Sequence, residues 1–490
     1  MSFQNQSGDL MPFTEVVPAS AQFGAPERSS ILTSRRRVRV TPQTGPALGA
    51  AGVGGGSSQV QYLIADQGGM IDLRSVCLNY TIQTSGAALP CPDDGHPFST
   101  VQILLNGQLL ENIQNAPKLA NVEMTMGGSK GYYSTAGSFQ GFELLNDDLD
   151  TPIPAGATAT TLNAYGYVFG NQASIQARSA RPAAAVFNNI AGEQRSIPLG
   201  LVCGLGRMAT YVPISLVGEL AVILQTGSAN EILFSITAGQ TAADYSLSNM
   251  SIEYDIVTPD ARYFSVLQRI ATEDGAGLVM PYESSIVTTG AQIALSTTLT
   301  ETSIIVSRAT NNLLRSNVVF IPTAQVSALG YPSQSCFSHA GVFSAQWRIG
   351  SLVYPQTACQ GDASLFNMSL AAYGSVQQEN GTTANRVLWG NSTQNATQGS
   401  AAVFETADLA TGGVAKFAGG DRFVPSYGFQ TVKGGAEALA VDGVSVSGAS
   451  GSQVIVSIIS APGAAYTPFV VLTALKFIVA KQGAVMVVGA

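Results

Sequence analysis

The chain has 490 residues, of which 46% are hydrophobic and 11% are charged, whereas ordinary soluble domains carry about 25% charged residues. The formal net charge of -8 excludes a fold that binds nucleic acid over its whole surface, because neutralising phosphates requires clustered Lys and Arg. The 52 Gly and 22 Pro favour many short strands joined by turns, and they argue against long amphipathic helices.

Residues 1–58 predict a flexible N-terminal arm. They lack periodic apolar patterning and end in the Gly-rich tract Gly49 to Gly56. The first residues do not combine a basic stretch with an apolar one, so no secretory signal is expected and synthesis in the cytosol is predicted. The arm carries a basic cluster, Arg35, Arg36, Arg37 and Arg39.

Residues 59–258 predict a first β domain. The strongest local signal is Asn106-Gly107 between two apolar runs, which predicts a tight hairpin. Leu119, Val122 and Met126 then follow at helical spacing, so a short helix is expected from Ala116 to Met126. Strands are predicted at Val60 to Ala65, Val76 to Gln83, Thr100 to Leu105, Ala164 to Phe169, Ala209 to Leu216, Leu220 to Gln225, Glu231 to Ile236 and Met250 to Val257.

Residues 259–275 predict a helical bridge, and residues 276–490 predict a second β domain. Pro259 breaks the sheet, and the apolar residues of Ala261 to Ala271 share one helical face. Strands are predicted at Ser303 to Ser307, Asn317 to Ile321, Gly341 to Ile349, Gln453 to Ile459 and Pro468 to Val479. The last of these contains Lys476 and is too short to cross a bilayer, so it is interpreted as a buried strand.

The second region repeats the order of the first, which indicates a duplicated unit. A hairpin with Gly350 at its tip is followed by a predicted helix from Asp362 to Tyr373, as the Asn106-Gly107 hairpin is followed by its helix. Ile197-Pro198 and Phe423-Val424 each precede the closing strands of their region.

Several motifs are interpreted as structural. The segment Gly204 to Ala209 matches a dinucleotide fingerprint by its letters, but strand-forming residues follow it where that site needs a helix. The acidic run Asn146 to Asp150 lacks the Gly and Glu of a calcium loop, so a solvated loop is expected. His96 and His339 lack partners at zinc or serine-triad spacing.

The remaining polar signals also have ordinary interpretations. Five scattered cysteines predict free structural thiols in a reducing compartment: Cys77, Cys91, Cys203, Cys336 and Cys359. Seven glycosylation sequons are attributed to chance: Asn5, Asn79, Asn249, Asn367, Asn380, Asn391 and Asn395. The polar stretch Asn380 to Ser400 is expected to be an external loop.

The chain resembles the double jelly-roll major capsid proteins of polinton-like viruses, virophages and their giant-virus relatives. The resemblance spans the chain from about Gln59 onward and depends on four features in order. They are the Asn106-Gly107 hairpin with its helix, the stretch Ile197 to Leu216, the strand Tyr245 to Tyr254 with its bridging helix, and the hairpin Arg348 to Ser351 with Tyr354-Pro355. The resemblance implies an all-β fold of two tandem eight-stranded jelly-roll sandwiches with a few short helices.

The same resemblance implies a structural protein of the icosahedral shell of a double-stranded DNA virus, not an enzyme, with no cofactor or metal. Two similar sandwiches per chain predict a homotrimer that forms a pseudo-hexagonal capsomer. The expected partners are neighbouring capsomers, penton and minor capsid proteins, and a host receptor through the outer loops. The expected location is the virion.

The basic cluster at Arg35, Arg36, Arg37 and Arg39 is expected to face inward, and three roles stay open for it. It could touch packaged DNA, bind an acidic minor protein or an inner membrane, or solubilise a disordered tail.

A β-sandwich sequence is also compatible with two other functions. One is a glycan-binding β-sandwich adhesin or tail protein, which fibre repeats or a signal peptide would have favoured. The other is a polysaccharide-degrading enzyme, which needs two carboxylates about 5–9.5 Å apart. Pairs such as Glu253 and Asp255 are too common on strands to indicate that chemistry.

Overall fold

The described part of the chain consists mostly of antiparallel strands. The computed structural model of the chain describes residues 32–43, 48–49, 58–65, 68–85, 89–90, 96–128, 140, 193–208, 210–234, 244–272, 277–293, 300–306, 308–326, 333–334, 337–373, 422–429, 443–446, 452–458, 465–481 and 483–488. Within these ranges, none of the helices has the length and apolar character needed to cross a membrane.

The described residues of the first half form strands, short helical turns and one helix of 12 residues. Its elements are β1 (Leu32–Val40), β2 (Leu48–Gly49), β3 (Gln59–Ile64), β4 (Met70–Ser85), β5 (Leu89–Pro90), β6 (Phe98–Leu105), β7 (Gln108–Gln114), α1 (Ala116–Gly127), β8 (Glu193–Pro198), α2 (Leu199–Val202), a 3-10 turn (Gly204–Arg207), β9 (Val212–Pro213), α3 (Ile214–Val217), β10 (Leu220–Thr226), α4 (Ala229–Ile232), β11 (Leu233–Phe234) and β12 (Asp244–Pro259).

The second half repeats this pattern. Its elements are α5 (Ala261–Thr272), β13 (Leu278–Thr289), β14 (Thr300–Val306), β15 (Thr310–Pro322), a 3-10 turn (Thr323–Gln325), β16 (Val342–Ile349), β17 (Leu352–Gln360), α6 (Asp362–Ala372), β18 (Ser426–Gly428), β19 (Val444–Val446), β20 (Ser452–Ile458), β21 (Tyr466–Lys481) and β22 (Ala484–Val488).

Each half forms two facing sheets with the same strand order. In the first sandwich the orders are β1-β12-β4-β8 and β3-β10-β6-β7, and in the second sandwich they are β13-β21-β15-β18 and β14-β20-β16-β17. Every one of these pairings is antiparallel. Two facing four-stranded sheets in this order form a jelly roll, so the predicted all-β fold of two tandem jelly rolls is confirmed.

The core of each sandwich follows from period-two patterning. In β3, β6 and β10 buried residues alternate with less buried ones, so one side of each strand packs inside. Tyr80 and Phe98 meet edge to face across the first sandwich, with ring centroids 5.6 Å apart. In the second sandwich the indole nitrogen of Trp347 donates to Ser316 Oγ at 3.1 Å, which joins its two sheets.

The two predicted hairpins and the helices after them are present. Asn106 and Gly107 both have positive φ, 50° and 76°, which a tight two-residue hairpin turn requires. Gly350, with φ 59°, occupies the corresponding turn between β16 and β17. Helices α1 and α6 follow within two residues of β7 and β17. The helix predicted after Pro259 is also present, as α5.

The structure corrects the expectation that the basic cluster lies in a flexible arm. Residues 32–40, within the predicted arm of residues 1–58, form strand β1, which pairs with β12 along its whole length. By strand order β1 corresponds to β13 and opens the first sandwich. The physical reason is charge compensation across the strands. Carboxylates on β4 and β12 form ion pairs with Arg35 and Arg37, although these strands are distant from β1 in the sequence. The basic segment can therefore form an edge strand without a regular apolar pattern.

Two predicted strands are partly helical. In the described part of the predicted strand Ala209 to Leu216, residues 210–216, only β9 is strand, and the turn α3 follows it; Pro213 has no N–H with which to continue a ladder. The predicted strand Glu231 to Ile236 starts inside α4, and β11 begins only at Leu233. At the start of α4 the Glu231 carboxylate accepts a hydrogen bond from the Ser228 amide at 3.4 Å. Ser and Glu at this spacing are a helix-start signature, so the signal was present in the sequence.

Some predictions lie outside the described residues. They are the strand Ala164 to Phe169, the acidic run Asn146 to Asp150, the external loop Asn380 to Ser400, residues 1–31 of the arm, Cys91 and Cys336, and the sequons at Asn5, Asn380, Asn391 and Asn395.

Candidate functional site

The predicted basic cluster lies on the exposed edge strand β1, where two of its arginines are engaged by carboxylates. Arg35 Nη2 lies 2.9 Å from Asp72 Oδ2 and 2.7 Å from Asp255 Oδ2. Arg37 Nε lies 3.0 Å from Glu253 Oε2, and its Nη1 lies 3.6 Å from Asp255 Oδ1. About half of each arginine side chain stays exposed. These contacts tie β1 to the sheet.

Arg36 and Arg39 occupy different positions on the same strand. Arg36 lies across from Ile256, next to the core residue Tyr254. Burial raises the pKa of Tyr254, and the positive charge of Arg36 partly offsets that rise. Arg39 lies across from Glu253 and lines a polar groove of about 390 Å³. The groove is also lined by Asn79, Tyr80, Thr81, Gln194, Arg195, Ser196 and Asn249. Strand alternation thus divides the four arginines between two faces of the sheet.

Helix α1 joins the two sandwiches. It follows β7 of the first sandwich, yet ten of its twelve residues are buried. Lys118 Nζ donates to Gln334 Oε1 at 2.9 Å and lies 4.8 Å from the ring centroid of Phe469. Arg422 Nη1 donates to Thr125 Oγ1 at 3.4 Å. Part of its buried surface is therefore covered by the second sandwich.

A buried ionic cluster lies at the centre of this junction. Glu123 of α1 accepts from Arg315 of β15 at 2.7 Å and from Arg207 of the 3-10 turn at 3.1 Å. Arg315 also lies over the Tyr373 ring, 4.0 Å from its centroid. Burial alone would raise the pKa of Glu123, but the two arginines outweigh burial and hold it below its ordinary value. The carboxylate is thus ionised and bridges both sandwiches.

The backbones of the two sandwiches approach closely beside this cluster. A Cβ on Gly204 would collide with the backbone carbonyl of Glu283 in β13, so only glycine fits there. Tyr282 Oη donates to the Leu110 carbonyl of β7 at 3.0 Å. The turn between β6 and β7 also contacts the second sandwich, where Asn106 Nδ2 donates to the Gly483 carbonyl at 3.0 Å. The junction is therefore a packed interface as well as an ion pair.

Glu111 of β7 is a second buried carboxyl at this junction, with an exposed fraction of 2%. Its Oε2 accepts from the Leu205 amide at 3.2 Å. Burial raises the pKa of Glu111 to about 7, although the Leu205 amide and the Arg207 charge oppose that rise. At neutral pH this carboxyl is accordingly near its titration midpoint.

The other sequence motifs have structural positions. The Gly204–Arg207 segment is a 3-10 turn, and no helix of the dinucleotide-binding kind begins behind it within residues 204–208. His96 is buried, and burial lowers its pKa to about 3. His339 pairs with Asp362 of α6 at 2.9 Å. Cys77, Cys203 and Cys359 are free thiols. Among the described residues, no group of three or more His, Cys, Asp or Glu could hold a metal ion.

Sequence reasoning missed Glu123, Arg315 and Arg207. Their contacts join residues 84 and 192 positions apart in the chain, and no local pattern indicates such a pairing. The only local signal is that two charged residues, Lys118 and Glu123, lie on the mostly apolar helix α1.

The sequence matches no protein-family model and no curated protein. The structure, in contrast, is similar over nearly its whole length to solved viral capsid chains. A chain of the PBCV-1 virus capsid has a TM-score of 0.53 at 10% identity, and the match covers 96% of this chain and 99% of that one.

Two further solved structures agree. A chain of the Sputnik virophage has a TM-score of 0.54 at 12% identity, with 99% and 94% coverage. The Faustovirus major capsid protein has a TM-score of 0.53 at 8% identity, with 94% and 93% coverage. The strand order and these similarities together show that the chain has the double jelly-roll fold of these capsid structures.

Proposed function

We propose that the protein is the major capsid protein of a double-stranded DNA virus and builds an icosahedral shell. The observation that carries the proposal is that two equivalent jelly rolls pack on one another through the buried Glu123 cluster and the Gly204 contact. A shell subunit must keep its two sandwiches in fixed relative positions, because their geometry sets the shape of the capsomer. The fold shared with the PBCV-1, Sputnik and Faustovirus structures supports the same function.

The proposed assembly unit is a homotrimer. Three chains supply six similar sandwiches, and cyclic closure can arrange them as a pseudo-hexagonal capsomer. The sandwiches are proposed to stand upright in the shell, so that loops at one end face outward. The low overall charge of the chain supports trimer formation, because the centres of large subunit interfaces are depleted of Lys, Glu and Asp.

The remaining partners are part of the proposal. Capsomers would contact one another, penton proteins and minor capsid proteins, and a receptor would bind the outer loops. The protein would be made in the host cytosol and reside in the virion. For the basic cluster, contact with packaged DNA, an acidic minor protein or an inner membrane stays a prediction. Because carboxylates hold Arg35 and Arg37, a structural role at the sheet edge is favoured for those two.

Negative-stain electron microscopy of the purified protein tests this function. Hexagonal capsomers, and shells under assembly conditions, are the expected result. A folded protein that forms neither under any assembly condition, but binds glycans as a single chain on an array, would support the adhesin alternative instead.

A further inference from the structure

The two sandwiches are equivalent in strand order but differ in how their surfaces are covered. In the second sandwich, β15 and β21 are buried on both faces over most of their length. A strand buried on both faces needs a cover on each, and here α1 contributes to the second cover through Glu123 on Arg315 and Lys118 on Phe469. In the first sandwich the equivalent strands, β4 and β12, alternate between buried and partly open positions.

The open side of the first sandwich is polar. It carries Arg37, Asn79, Glu253 and Asp255, each partly or fully accessible in a single chain. The groove lined by Arg39 and Asn249 belongs to the same sheet. This surface, the open face, corresponds in the fold to the face of the second sandwich that α1 covers.

The helices show the complementary difference. Leu119 and Leu365 are each the fourth residue of their helix, α1 and α6, and each is completely buried in its own sandwich. Lys118 and Asn121 of α1 are also buried, at 2% and 0% exposure. Their counterparts in α6 are Ser364 and Asn367, and both are exposed. Three of the eleven residues of α6 are buried, against ten of twelve in α1.

A single chain therefore has one contact between a helix and a sheet, α1 on the second sandwich. It also has two surfaces that could form a second such contact, α6 and the open face of the first sandwich. We infer that α6 of one copy packs on the open face of the first sandwich of a second copy, in the way that α1 packs on the second sandwich within the chain. The inference rests on the proposed trimer and names its contact surfaces. The contact is heterologous, with different surfaces on the two copies, and it must close into a ring to give a finite particle.

The α6 contact surface is formed by Ser364, Asn367 and Ala371, which share one face of the helix and are exposed in the single chain. Half-buried Phe366 and Leu370 flank it. The sequon at Asn367 would be buried in this contact, so glycosylation there and assembly would exclude one another.

Light scattering of three proteins tests the inference: the wild type, Asn367→Trp and the matched control Ser303→Trp. Ser303 is an exposed residue of β14 in the second sandwich. The equivalent strand of the first sandwich, β3, lies at the sheet edge opposite to β7 and away from the junction, so Ser303 is not expected in the contact. The wild type and the control should have three-chain mass. Asn367→Trp should keep its circular dichroism spectrum but weaken trimer formation by about 100-fold, because a bulky residue cannot fit a packed interface. A companion variant in the groove, Ser196→Trp, should weaken it similarly.

The outcomes separate this inference from the proposed function. If the wild type has one-chain mass at all concentrations, the trimer itself is contradicted. If the wild type and Asn367→Trp form equally stable trimers, the trimer stands and the α6 contact is wrong.

A smaller change covers the case in which tryptophan prevents folding. In the assembled trimer, the thiol introduced by Asn367→Cys should react with a maleimide at least about ten-fold more slowly than the thiol introduced by Ser303→Cys, because interface burial limits access. Peptide mass spectrometry distinguishes these sites from the native cysteines. Equal labelling rates at the two positions would overturn the inference.

Discussion

Arg315 of the second sandwich donates to Glu123 of the first across 2.7 Å, and their side chains are only 8% and 11% exposed. Arg207 makes a second contact with the same carboxylate. A buried charge without its partner is far more costly than an exposed one. This pair therefore makes the relative position of the two sandwiches a condition of stability.

Glu123→Ala should lower the free energy of unfolding by about 3–5 kcal/mol, because it leaves the buried Arg315 without its carboxylate. Urea unfolding measures the loss, and the exposed Glu219→Ala is the control, with an expected change within about 0.5 kcal/mol. In a double-mutant cycle with Arg315→Met, a coupling of at least about 1 kcal/mol is expected. Strictly additive losses would show that the pair does not act as a unit.

Gly204→Ala should destabilise the protein by at least about 2 kcal/mol, because the new methyl group would collide with the Glu283 carbonyl and separate the sandwiches. The control is Gly127→Ala at the end of α1, where a Cβ meets nothing within 4 Å. Thermal unfolding of both variants measures the difference. Equal melting temperatures would mean that the close approach of the two backbones is not required.

Glu111 should make stability depend on pH. Its pKa is about 7 in the folded protein and 4.5 as its ordinary value, so the folded state binds the proton more tightly. The resulting stabilisation is fully present below about pH 4.5, is lost as pH rises towards about 7, and amounts to about 3 kcal/mol. Glu111→Gln should remove this fall. Urea unfolding of both proteins between pH 4.5 and pH 8 checks the prediction, and parallel curves would contradict it.

Arg35→Ala combined with Arg37→Ala should cost about 1–2 kcal/mol, because Asp72, Asp255 and Glu253 lose their partners on an exposed edge. The loss should shrink in 1 M salt, which screens exposed charges. Arg262→Ala in α5, an exposed position, is the control. Hydrogen exchange of residues 32–40 adds a direct readout. Faster exchange in the double variant is expected, and unchanged exchange would show that the ion pairs do not hold the strand.

The sequence predicted the elements that local chemistry specifies. The Asn106-Gly107 turn requires two positive φ angles, and few other residue pairs adopt them, so the hairpin was evident. Helix α5 was evident because Pro259 ends a strand and an amphipathic run follows. The repeat of hairpin and helix in both halves then indicated two similar sandwiches.

Strand β1 and the junction could not be predicted in this way. β1 forms because Asp72, Glu253 and Asp255 accept its arginines, and those carboxylates come from strands placed beside it only by the fold. Glu123 and Arg315 likewise meet only after both sandwiches have formed. Tertiary partners decide both features, and no local pattern contains them.

A cryo-EM map of the assembled capsomer tests the central proposal most directly. We expect three chains around one axis, six sandwiches with strands roughly normal to the shell, and α6 of each chain against the first sandwich of the next. A capsomer whose strands lie flat in the shell, or one that is not built from three copies of this chain, would contradict it.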